Sequence, residues 1–134
     1  MEINMISNPE KNKIQRVFFK YARLGLDRED LPVFDAYRKI LGCCRSEREA
    51  YELLAVYDTV RLLDLAGKDD VCRAVRDIYF YCGRFRPHRN DISALVRRFA
   101  CQNFCDDRTV YRKLSYARKI YAGLLGRSAK YCKK

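Results

Sequence analysis

The sequence predicts an all-α protein, five or six helices packed as a compact bundle. Three observations point there. Apolar residues recur three and four positions apart in one segment after another, the spacing that places them on one face of a helix. No segment sustains the apolar–polar alternation of a half-buried strand. The chain also has only six Gly and three Pro in 134 residues, little material for turn-rich β architecture or long linkers. A hydrophobic fraction of 49%, with ten Tyr and seven Phe, belongs to a chain with a real core rather than a disordered one.

The first helix is expected from Asn12 to Leu24, with Ile14, Val17, Phe18 and Tyr21 on one face and Gly25 as its stop. A shorter helix from about Leu31 to Leu41 presents Phe34, Tyr37 and Leu41, and Gly42 closes it. Ser46-Glu-Arg-Glu49 is a capping box, in which the Ser hydroxyl accepts from the Glu49 amide and the Glu49 carboxylate reaches back. It opens a long helix to Ala66 that is apolar at Ala50, Leu53, Leu54, Tyr57, Val60, Leu62, Leu63 and Leu65. So wide a stripe suits a central helix covered on more than one side. Gly67-Lys-Asp-Asp70 stops it and starts the next, about Asp70 to Cys82, apolar at Val71, Ala74, Val75 and Ile78. Gly83 to Asn90 reads as irregular. Asn90 or Asp91 can cap a helix carrying Ile92, Leu95, Val96 and Phe99, and Asp106 caps a last helix that reaches Leu125 before Gly126.

Charge divides the chain more sharply than hydropathy does. The net charge is +11, yet residues 1–83 hold equal numbers of basic and acidic side chains. Residues 84–134 contain only Asp91, Asp106 and Asp107 as acids and carry the whole excess. Asymmetry of this kind points to a polyanionic partner, nucleic acid before membrane. Two functional segments follow: an N-terminal helical segment, 1–66, for packing, dimerisation or partner contact, and a basic region, 67–134, that meets the polyanion.

Other classes are disfavoured. The first residues lack the basic stretch and apolar run of a secretory signal, and no apolar run approaches the roughly 20 residues of a membrane span. A cytoplasmic protein without membrane contact is expected. Seven Cys contain no C-x-x-C pair, and Cys72 and Cys82 occupy apolar helical positions, as reduced core thiols do; no metal and no other cofactor is expected. Phosphate-cradling and zinc-protease motifs are missing, and the single His88 has no nearby carboxylate or thiol. Acid pairs such as Asp69-Asp70 and Glu29-Asp30 sit at helix starts, where the dipole favours them. The chain is not expected to be an enzyme.

Within the basic region, the helix at Ile92–Cys101, a break at Asn103–Cys105 and the capped helix from Asp106 have the order of a helix-turn-helix. Ala100 is the candidate small residue at the crossing, Val96 and Phe99 the first helix's core, and Val110 and Leu114 the second's. On the last helix Val110, Leu114, Ala117, Tyr121 and Leu124 share one face. Arg108, Arg112, Ser115 and Lys119 share the opposite one, flanked by Thr109, Tyr116 and Arg118. The run Asp106-Asp-Arg-Thr-Val-Tyr-Arg-Lys-Leu114 resembles the recognition-helix start of many bacterial regulators. Over roughly residues 70–126 the arrangement is similar to the region of sigma factors that reads the promoter −35 element, and to the ArpU-type regulators of phage late genes. This resemblance implies a helical DNA-binding unit and a role in transcription. Many such motifs carry Gly in the turn where this chain has Phe104, so a turn of another type, or a longer one, is expected.

On this reading Arg108, Thr109, Arg112 and Lys113 lie where side chains reach base edges in the major groove, and Asp106 fixes the start of the helix. Arg suits bidentate contact with guanine, and the Thr methyl suits a thymine methyl. Tyr116 and Lys119 meet phosphates, and Arg97, Arg98, Arg84, Arg86 and Arg89 are positioning contacts. Double-stranded DNA is the expected partner, with RNA polymerase and a second copy of the chain as further ones. The rival class is an all-helical adaptor whose basic face binds an acidic protein. RNA ranks below both, because the aromatics fall on apolar stripes rather than on a stacking platform.

Overall fold

The computed structural model describes residues 8–28, 33–85 and 92–132, and among these every regular element is helical. In chain order they are α1 (Asn8–Arg23), α2 (Val33–Cys43), α3 (Glu47–Leu65), α4 (residues 69–85), α5 (Ile92–Gln102) and α6 (Asp107–Cys132). None is long and apolar enough to cross a membrane. Side chains from both halves of the chain join one buried cluster that extends from Ile14 to Tyr121.

The local signals explain most of the boundaries. Ser46 Oγ accepts from the Glu49 amide at 3.1 Å, and Glu49 Oε1 accepts from the Arg45 amide at 3.0 Å, so the reciprocal half of the capping box reaches one residue beyond Ser46. The same carboxylate pairs with Lys20, which ties the start of α3 to α1. The Lys20 ammonium and the Arg45 amide hold the Glu49 carboxyl below its ordinary range. α3 packs against α1, α2, α4 and α6, the central position that its wide apolar stripe suggests.

Three helix ends share one hydrogen-bond pattern. At the end of α1 the Leu26 amide donates to Tyr21 and the Gly25 amide to Ala22. At the end of α3 the Lys68 amide donates to Leu63 and the Gly67 amide to Asp64. At the end of α5 the Cys105 amide donates to Ala100 and the Phe104 amide to Cys101. This is the Schellman arrangement, whose penultimate residue must be left-handed. Gly25 and Gly67 take φ of 74° and 73°; the third position is Phe104, at 55°. A short turn of the Gly type therefore forms despite the side chain, and no different or longer connection is needed.

Four boundaries depart from the sequence expectation. α1 begins four residues earlier, at Asn8, and α2 passes through Gly42 to Cys43. α6 continues past Gly126 to Cys132. The most informative departure is α4, which does not end at Cys82 but continues to Phe85. Gly83 is buried where α4 crosses α1, and a Cβ there would lie 2.3 Å from the Phe19 carbonyl oxygen. Its glycine serves close approach of two helices rather than chain termination. The remainder of the irregular stretch, with Arg86, His88, Arg89 and the proposed caps Asn90 and Asp91, lies outside the described residues.

α4 itself is not uniform. Asp69–Ala74 and Tyr81–Phe85 are α-helical, and Val75–Phe80 between them is a π-helical turn. Such a turn holds one extra residue and rotates the side chains that follow it. Ile78, Tyr79 and Phe80 are all buried in succession, which requires neighbours on several sides of the helix. They are supplied by Phe18, whose ring lies 5.4 Å from Tyr79, and by Tyr21, 5.4 Å from Phe80. Tyr121 of α6 closes the cluster at 5.5 Å from Phe18. Cys72 and Cys82 are buried thiols outside any disulfide, and burial pushes the Cys72 thiol up.

Candidate nucleic-acid interface

The corner between α5 and α6 is built as a locked helix pair. Val96, Phe99 and Ala100 of α5 and Val110 and Leu114 of α6 are all buried, the set that the spacing singled out. Asp106 caps α6: its Oδ1 accepts from the Thr109 amide at 2.9 Å and from the Thr109 hydroxyl at 2.7 Å. Both donors hold the Asp106 carboxyl below the usual range. The Thr109 hydroxyl hydrogen is thereby committed to Asp106, and the methyl is not.

Opposite the buried face, α6 exposes Arg108, Arg112, Tyr116 and Lys119. Tyr111 is exposed as well, beside this stripe. Lys68 places its ammonium 5.8 Å from the centre of the Tyr116 ring, so the Tyr116 end of the stripe adjoins the start of α4.

The remaining expected cations are more engaged. Lys113 Nζ stands 3.6 Å from Asp70 and 6.0 Å from the centre of the Phe99 ring, with only 20% of its side chain exposed. It joins α6 to the start of α4 and to the C-terminal part of α5, away from the outer stripe. Arg84 is ion-paired with Asp27 and so links α4 to the end of α1. The Arg98 guanidinium lies 4.9 Å from the centre of the Tyr81 ring. Arg97 approaches Asp107 at 3.9 Å, but both side chains are exposed, so the attraction is weak and screened by salt. Arg97 therefore remains available on the α5 side of the corner.

Arg118 differs from its flanking assignment. It is 8% exposed, and its Nη1 donates to the Tyr79 hydroxyl at 2.5 Å. Gln15 Nε2 donates to the same oxygen at 3.4 Å. Arg118 Nε is buried without a partner. Burial pushes the Tyr79 phenol up, against the pull of Arg118. Helical spacing alone puts Arg118 beside the exposed stripe, but the guanidinium reaches inward to the oxygen that the π-helical turn presents.

Among the described residues no three His, Cys, Asp or Glu side chains are grouped so as to hold a metal ion. No protein-family model matches this sequence, and neither a curated protein nor a solved structure matches it.

Proposed function

We propose that this chain is a sequence-specific DNA-binding regulator of transcription that reads the major groove with the N-terminal half of α6. One observation carries the reading: the half of the chain that holds the entire +11 excess also presents Arg108, Arg112 and Lys119 on the outward face of a capped helix. A row of cations on a rigid helix suits phosphates and base edges together. Arg108 and Arg112 are the base-reading candidates, with the Thr109 methyl beside them, and Lys119, Tyr116 and Arg97 contact the backbone. Arg98, stacked on Tyr81, and Lys113, paired with Asp70, position α5 and α6. Arg84 is directed toward Asp27 and has a positioning role at most through α4. RNA polymerase, a cytoplasmic setting and assembly as a homodimer belong to the same proposal.

The test is a salt titration of binding to duplex DNA. Log affinity should fall steeply and linearly with log salt as phosphate-bound cations release counterions. A flat dependence, or no binding at low salt, overturns the reading. On an enriched site, Arg112→Ala should cost roughly 1–3 kcal/mol, and less on random DNA. Equal losses on both assign Arg112 to the backbone.

An adaptor for an acidic protein is the second reading. What favours it is apolar surface: Phe34 and Leu41 on α2 and Leu65 at the end of α3 are exposed, surface that a protein partner covers and DNA does not.

A further inference from the structure

Of the three helix ends with the Schellman pattern, only that of α5 puts a side chain on the left-handed residue. Phe104 at φ 55° crowds its Cβ against the backbone, a strain that Gly25 and Gly67 do not have. The ring recovers nothing from the fold, since Phe104 is 96% exposed, the most exposed large hydrophobic residue among those described. Strained backbone and solvated aromatic surface coincide at one residue, in a corner whose other positions are well matched to the fold. That residue lies two positions before the Asp106 cap, at the end of α6 that carries Arg108 and Arg112.

We infer that Phe104 is a specificity-determining contact of the DNA site, packing its ring against the 5-methyl group of a thymine at the edge of the sequence that α6 reads. This inference rests on the DNA-binding reading and adds to it a residue and a base. An exposed apolar ring just before the start of a helix that exposes Arg108 and Arg112 suits the groove edge, where a thymine methyl is the apolar feature of the base and phosphates lie alongside. Binding would then cover the aromatic surface that the free protein leaves in water, and only in the complex does the left-handed Phe gain a contact that Gly could not make.

The test uses the full chain and a random-sequence duplex pool, from which the wild-type protein enriches its preferred duplex. Each thymine of that duplex is then replaced by deoxyuridine, which deletes only the methyl. Wild-type protein should lose roughly fourfold in affinity at one thymine, the worth of a buried methyl group. Phe104→Gly should bind the original duplex more weakly and be indifferent to that replacement. The same variant should melt at a higher temperature than wild type, which separates lost contact from lost fold. Phe104→Leu, still apolar, should retain part of the thymine dependence. If Phe104→Gly keeps wild-type affinity, or stays as sensitive to deoxyuridine as wild type, the inference is overturned while DNA binding stands. If wild-type protein enriches no duplex, the DNA-binding reading falls and this inference falls with it.

Discussion

The crossing of α1 with α4 and the corner between α5 and α6 follow opposite rules. At the crossing, glycine occupies the one position where a methyl group would strike the neighbouring backbone, and Phe18, Tyr21, Tyr79 and Phe80 interlock around it. At the corner, a bulky residue occupies the one position where glycine would be free of strain, and its ring packs on nothing. Residue choice at the crossing follows from folding alone. At the corner folding explains Asp106, Ala100, Val110 and Leu114, but it explains neither Phe104 nor the row of exposed cations. A surface where stability was not the criterion is where a binding role is to be sought.

The contrast can be broken most forcefully at Gly83. Gly83→Val inserts two methyl groups and a Cβ into space already held by the Phe19 backbone, so α1 and α4 must separate. The expected loss is about 3 kcal/mol or more, above ordinary overpacking because the obstacle is backbone rather than a movable side chain. Urea unfolding measures it; a midpoint within error of wild type would mean that the crossing is not close-packed.

Arg118 gives the next effect, of opposite sign. Arg118→Met keeps an unbranched stem and removes a buried cation whose Nε has no partner, while Gln15 continues to donate to the Tyr79 hydroxyl. Stability should rise by about 1–2 kcal/mol, since a buried charge with no counter-ion in ion-pair reach among the described residues is a net cost. A fall on chemical denaturation would assign Arg118 a stabilising role that outweighs its desolvation.

Phe104→Gly should also stabilise the free protein, by about 1 kcal/mol, through relief of left-handed strain. In the control, Gly67→Phe should destabilise by a comparable amount, because it transfers the Phe104 situation to an end that now has glycine. Equal stability of all three proteins would erase the contrast between the helix ends.

The smallest effect is the pH dependence of the Asp106 cap. Its carboxyl is depressed in the folded state, so the stabilisation is present above the ordinary carboxylate range and is lost as pH falls through the depressed value. Asp106→Asn keeps a capping oxygen that does not titrate. Its unfolding midpoint should therefore decline less than that of wild type on acidification, and Glu49 at the start of α3 contributes the same sign elsewhere.

Much of this was legible in the chain. Helix number, the Ser46 and Asp106 starts, and the buried set Val96, Phe99, Ala100, Val110 and Leu114 follow from spacing and capping chemistry. Gly83 was not, because a helix-stopping glycine and a helix-crossing glycine are the same letter, and only the partner backbone distinguishes them. Arg118 was not, because a long side chain can leave its own helical bearing for an acceptor 39 residues away in sequence. The engagement of Lys113 by Asp70 and of Arg84 by Asp27 escaped for the same reason.

By itself, then, the sequence determined that this chain is helical, where the helices capped by Ser46 and Asp106 begin, and that its positive charge belongs to residues 84–134. Those properties depend on interactions within a few residues or on simple composition. Only the tertiary structure decided which cations face outward: Arg108, Arg112 and Lys119 do, whereas Lys113, Arg84 and Arg118 are drawn to partners on other helices. It also decided that Phe104 adopts a glycine's conformation in full view of solvent. The physical reason is common to both: whether a charge or a ring is available depends on what folding brings against it, and that neighbour lies far away in the chain or is missing altogether.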